Sequence, residues 1–130
     1  MLDKPSDLRL EIHRSNTVKE SESAIFQCNV DSNPASSIRW TLTRSGRVLQ
    51  TDHSVIQSNY TINRANCKQT GTYMCQATNT FNGDMGMANK TIDFYVLCKL
   101  VNKAKWQIGT IQGITFSLYI NGLLYSNPNI

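Results

Sequence analysis

Gly71-Thr72-Tyr73-Met74-Cys75 sets a glycine two residues before a tyrosine, and that tyrosine two residues before a cysteine. Another cysteine, Cys28, lies 47 positions upstream of Cys75, and Trp40 follows Cys28 by 12. Around these residues the chain alternates. Ala24, Phe26, Cys28 and Val30 share a parity, Ile38, Trp40 and Leu42 form a second row, and Leu8, Leu10 and Ile12 alternate with Arg9, Glu11 and His13. Side chains two apart on an extended strand point to one face, so the pattern predicts half-buried strands and an all-β domain. Ser32-Asn33-Pro34-Ala35 and Ser45-Gly46 read as turns. Tyr60, Ile62 and Ala65 lead into the quoted stretch, Phe81-Asn82-Gly83-Asp84 reads as a hairpin tip, and Ile92, Phe94 and Val96 as the closing strand.

The 130 residues leave room for one ordinary domain and a tail. The net charge of +4 comes from lysines and arginines that are scattered rather than striped. Nucleic acid is therefore not an expected partner, because displacing its counterions needs clustered cations. No glycine-rich phosphate loop, metal-binding helix motif or carboxylate pair is apparent, and His13 and His53 stand apart from any acid and nucleophile. Asp31, Asp52, Asp84 and Asp93 are too dispersed for a calcium cage. The expectation is a protein that is not an enzyme and carries no cofactor. Four cysteines can pair in three ways, and sequence alone does not choose among them. Zinc is disfavoured, since no two cysteines are close and neither histidine sits near one.

The order of Cys28, Trp40 and Cys75, with Gly71 and Tyr73 before the last cysteine, resembles the immunoglobulin superfamily over residues 6–98. That resemblance implies a two-sheet antiparallel Greek-key sandwich, a Cys28–Cys75 disulfide pinning the sheets, and Trp40 packed against it. It also makes Tyr73 the corner tyrosine, ring inside and hydroxyl bonded to upstream backbone. Trp40 and Cys75 are only 35 residues apart, too short for the two additional edge strands of a variable-type domain. The shorter intermediate or C2 type fits, and Cys75-Gln76-Ala77-Thr78-Asn79 is similar to the intermediate set. One departure is Gln69, where family members usually carry an aspartate. A neutral hydrogen bond is expected there in place of an ion pair.

In such a sandwich Cys67 falls at the corner before the sixth strand and Cys98 ends the seventh. Those strands are antiparallel, so both cysteines arrive at the same end, and a second disulfide is expected; two independent thiols are the alternative. Two disulfides imply secretion or an ectodomain, because they persist only in oxidising compartments. The sequons Asn59-Tyr60-Thr61 and Asn89-Lys90-Thr91 point the same way, with both asparagines at outward parity. A corner cysteine followed by the exit Val96-Leu97-Cys98-Lys99-Leu100 is similar to immunoglobulin domains of invertebrate multi-domain surface receptors and secreted defence lectins.

Met1-Leu2-Asp3-Lys4-Pro5 is no signal peptide, since no apolar stretch precedes the first strand, so a fragment of a longer secreted chain is expected. Residues 99–130 are expected to form a tail of undefined structure. A membrane-spanning reading of 106–124 and a truncated next domain stay open beside it, although the stretch is rich in glycine and polar groups for a span of ~20 apolar residues. Membrane attachment is left undecided.

The function these features suggest is a non-catalytic extracellular recognition or adhesion module of a larger receptor or secreted protein. Its partner would be a protein or glycan on a cell or pathogen surface, homophilic binding included. Contact would fall on an exposed sheet face or on end loops, with Phe81 and Asn82 as candidate contact residues. The alternative is an intracellular structural spacer of a filament-associated protein.

Overall fold

A computed structural model describes residues 2–99 and, beyond them, the backbone of short stretches between 110 and 126. In chain order the strands are β1 (Asp3–Ile12), β2 (Thr17–Lys19), β3 (Ala24–Asn33), β4 (Ser36–Leu42), β5 (Arg47–Val55), β6 (Gln57–Ile62), β7 (Gly71–Phe81) and β8 (Asp84–Lys99). The short stretches are β9 (Thr110–Ile111), β10 (Ile114–Thr115), β11 (Leu118–Ile120) and β12 (Leu123–Ser126). Hydrogen bonding orders one sheet as β1-β3-β6 and another as β11-β12-β8-β7-β4-β5, with β2 joined to β8; β9 and β10 pair with each other. This is the two-sheet, immunoglobulin-like sandwich expected from the sequence. Between Trp40 and Cys75 a single strand, β5, borders β4 before the chain crosses to β6 in the other sheet. The short interval leaves no room for more.

The chain divides into two compact units. The first comprises Met1–Arg14, Ile25–Thr61 and Thr72–Ile92. Its core is the inward parity of β3, β4 and β7: Phe26, Cys28, Ile38, Trp40, Cys75 and Ala77 are all at 0% exposure. Burying each large apolar side chain contributes about 1.5–3 kcal/mol. The Phe26 ring lies 4.8 Å from that of Tyr73, 5.8 Å from Tyr60 and 6.1 Å from Trp40, centroid to centroid. Tilted and edge-on pairs at such distances are favoured by the ring quadrupoles.

The hairpin between β7 and β8 turns on Asn82 and Gly83, with φ of 51° and 80°. Two consecutive positive φ values are what a two-residue type I′ turn needs, and Asn-Gly is the pair that tolerates them. In the same unit β1 carries a bulge between Ser6 and Arg9, and Asp7 there has φ 46°. The segment before the bulge lies on β8 at Gly86. A Cβ on Gly86 would come within 2.7 Å of Lys4 Cβ and 2.8 Å of Pro5 Cδ, so only glycine admits this approach.

The second unit comprises Ser15–Ala24, Ile62–Gly71 and Asp93–Ile130. Its buried residues include Ala24, Ile62, Ala65, Phe94, Val96 and Cys98. Here β2 runs parallel to the end of β8, with Val18 opposite Val96. The turn after β2 is tied down by backbone bonds from Ser21 N to Ala65 O and from Ala65 N to Glu22 O, each 2.8 Å. Asn66 caps a 3-10 turn over Cys67–Gln69: its Oδ1 accepts from Lys68 N at 3.0 Å, and Gln69 Oε1 accepts from Asn66 N at 2.9 Å. Gln69 thus makes a neutral hydrogen bond within this turn. Past Lys99, β12 pairs with β8 through Tyr125 and Ser126. The rest of the expected tail over 99–130 lies outside the described residues. Among the described residues no helix is long and apolar enough to cross a membrane.

Candidate recognition face

Strand alternation produces two opposite surfaces from one run of sequence. On β4 the inward positions Ile38 and Trp40 alternate with Ser37 and Arg39, whereas Thr41, past a register shift against β5, is buried. On β7 Cys75 and Ala77 alternate with Met74, Gln76 and Thr78. The register brings the outward members together: Ser37 opposes Thr78 and Arg39 opposes Gln76, while on the other side Arg39 opposes Thr51 of β5. The result is a broad outer face on β5, β4, β7 and β8.

A cleft of about 420 Å³ runs across this face. Its floor is Ser37, Arg39, Gln76 and Thr78. Thr51 and His53 wall one side, and Met85 and Met87 the other. His53 is held by a hydrogen bond between its Nδ1 and Ser37 Oγ at 3.1 Å. Gln76 Nε2 donates to Met87 Sδ at 2.9 Å. Met85 is 62% exposed and Met87 49%, a large apolar area for a surface strand. Methionine side chains are flexible and polarisable, so such a wall adapts to the shape laid against it. Arg39 is exposed, and among the described residues no side chain bonds or pairs with its guanidinium.

The sequence-predicted residues occupy other places. Cys28 and Cys75 are joined with their Cα atoms 6.5 Å apart, and Cys67 and Cys98 with theirs 5.7 Å apart. Trp40 is fully buried, and its Nε1 donates to Ser58 Oγ at 2.8 Å. Tyr73 is 2% exposed. Burial pushes its phenol up to about 12, the neighbouring Tyr60 adds to the rise, and Arg44 opposes it. Burial raises the Tyr60 phenol as well, against the nearby Arg47. Gly71 opens β7. The two sequon asparagines, Asn59 on β6 and Asn89 on β8, are both exposed. Phe81 closes β7 half-buried, whereas Asn82 stands exposed at the turn.

Near the second disulfide, Glu20, Cys67 and Cys98 place a carboxylate oxygen and two sulfurs within 4.8 Å of one another. Both sulfurs are bonded to each other, so neither is the thiolate that a soft metal ion takes as ligand. The parity that marks the core residues also marks the complementary outward face. Ser37, Arg39 and Gln76 each stand one position from Ile38, Trp40 or Cys75, so strand parity alone could have found most of this floor. The contributions of β5 and β8 to the face required the strand order as well.

A family model described as immunoglobulin domain matches residues 9–79. Among solved structures, the chain is similar to a chimeric titin Z1Z2 functionalized with a KLER exogenous peptide from decorin, at 22% identity and TM-score 0.60, covering 74% of this chain and 97% of that one. It is similar to the amphioxus IgVJ-C2 molecule at 25% identity and TM-score 0.54, over 72% of this chain and 44% of that one. Dpr1 IG1, solved bound to DIP-eta IG1, is similar at 18% identity and TM-score 0.53, over 69% and 95% of the two chains. No curated protein matches the chain.

Proposed function

Because this chain belongs to the immunoglobulin domain family, we propose that it works as a non-catalytic recognition module in an extracellular setting. In this proposal it engages a protein partner through the outer face of β5, β4, β7 and β8. One observation carries the reading: all four cysteines of the chain are joined in two disulfides. Such bonds are kept in oxidising compartments and lost in the reducing cytosol. The exposed sequon asparagines on β6 and β8 support the same setting. The mode of binding is supported by the exposed methionine wall, since apolar side chains grouped around a cleft mark interaction sites more often than scattered ones do. The solved pair of Dpr1 IG1 with DIP-eta IG1 is a precedent for binding between two such domains.

A second reading, an intracellular spacer, has the likeness to titin domains in its favour. At 22% identity that likeness speaks for the fold, and fold alone does not select a function. Non-reducing peptide mapping by mass spectrometry on chain from its native source separates the two. Linked Cys28–Cys75 and Cys67–Cys98 peptides, with glycan on Asn59 or Asn89, are the expected result. Four free thiols and bare asparagines would put the spacer first.

A further inference from the structure

We infer that the cleft on the outer face is a carboxylate-binding site, in which Arg39 takes an aspartate or glutamate side chain of a protein partner. This rests on the reading of that face as the binding surface. The first ground is charge. Among the described residues, Arg39 is the one arginine or lysine lining the cleft, and no carboxylate lines it. Asp52 on the neighbouring β5 stands opposite the inward Ile38 and is engaged there: its Oδ2 accepts from Ser58 Oγ and, at 2.9 Å, from Gln50 Nε2. The guanidinium is thus left with all its donors available to a ligand, in a planar fork that matches a carboxylate.

The second ground is the ring of neutral donors around it. Gln76 and Thr51 flank Arg39 directly across the ladder on either side. Their polar groups can hold the second oxygen or the backbone of an incoming segment. The third ground is the methionine wall. Met85 and Met87 offer thioether and methylene surface to the apolar neighbours of the acidic residue. A sugar ring stacks its C–H face on an aromatic ring, and among the described residues no phenyl, phenol or indole ring lines the cleft. The combination selects a peptide surface with an acid beside aliphatic side chains over an acidic glycan.

The test uses the full chain labelled with ¹⁵N, titrated with acetyl-Leu-Glu-Leu-amide and, separately, acetyl-Leu-Gln-Leu-amide. The glutamate peptide is expected to shift the amide signals of Ser37, Arg39, Thr51 and Gln76. Its affinity should exceed that of the glutamine peptide by about tenfold, the range of one hydrogen-bonded charge. In Arg39→Gln the two peptides should bind alike, with the melting temperature unchanged because the side chain is exposed and unpaired. Equal shifts from both peptides in the unaltered chain would overturn the carboxylate site and leave the face as a binding surface. Shifts confined to other residues, or none with either peptide, would overturn it too, and the disulfide and glycan mapping would still decide the extracellular reading by itself.

Discussion

The indole nitrogen of Trp40 donates to the hydroxyl of Ser58 at 2.8 Å, linking β4 of one sheet to β6 of the other. Ser58 in turn donates to Asp52 Oδ2, and Gln50 Nε2 reaches both Asp52 Oδ2 and Asn59 O at 2.9 Å. The donor of a fully buried indole is therefore satisfied, and the chain of bonds ends at a half-buried carboxylate. Ser58→Ala strands that donor in the core. An unsatisfied buried group costs roughly 1–3 kcal/mol, and urea unfolding should show a loss of that size. A midpoint unchanged from the parent chain would mean that the indole finds another acceptor.

Gly86→Ala tests how β1 is seated. The new methyl would lie 2.7 Å from Lys4 Cβ and Cγ, both too near the backbone to swing away. Overpacking of this kind costs about 1–3 kcal/mol. Much of it should appear locally, as faster hydrogen exchange at residues before the β1 bulge. Exchange rates equal to those of the parent chain would show that the strand shifts without loss.

Alkaline pH should weaken the fold through Tyr73. An unfolded tyrosine ionises near ~10, whereas burial holds this one up to about 12. Between those values the folded chain keeps a proton that the unfolded chain releases. Stability is therefore intact below the lower value and falls as the pH rises through the window. The loss should amount to ~1–3 kcal/mol at the upper end, with Tyr60 contributing in the same direction. Denaturant curves across this range should be steeper in their pH dependence for the parent than for Tyr73→Phe; identical slopes would assign the effect to other groups.

Each disulfide closes a long loop, with sequence separations of 47 and 31. The chain-entropy account gives ~4 kcal/mol to each, almost independent of which is removed. In a Trp106→Phe background, where Trp40 is the single indole, Cys67→Ala combined with Cys98→Ala should lower the unfolding free energy by ~2–5 kcal/mol and leave the Trp40 environment native by fluorescence. An altered tryptophan spectrum in the folded state would show that the second bridge shapes the core around the first.

The features legible in the sequence were those set by neighbours in the chain. The parity of Phe26, Cys28 and Val30 announced an inward row because strand geometry has period two. Asn82-Gly83 announced its turn because the required φ values belong to those residues themselves. The bond from Trp40 to Ser58 was not legible, since nothing local tells which distant hydroxyl an indole will meet. Gly86 was equally silent: its reason is Lys4, at the opposite end of the domain sequence. The outer face fell between these cases. Its floor follows from parity, but the methionine and histidine walls arrive only when β8 and β5 are placed in order.

Arg39 and Trp40 are consecutive on β4, one outward and unpaired, the other at 0% exposure. Adjacent positions therefore carry separate physical duties. Replacements at 37, 39, 51, 76 and 78 can alter what the surface attracts while the interior rows at 38, 40, 75 and 77 keep the same fold. A library randomised at the first set and fixed at the second would be a direct way to breed new specificities on this scaffold.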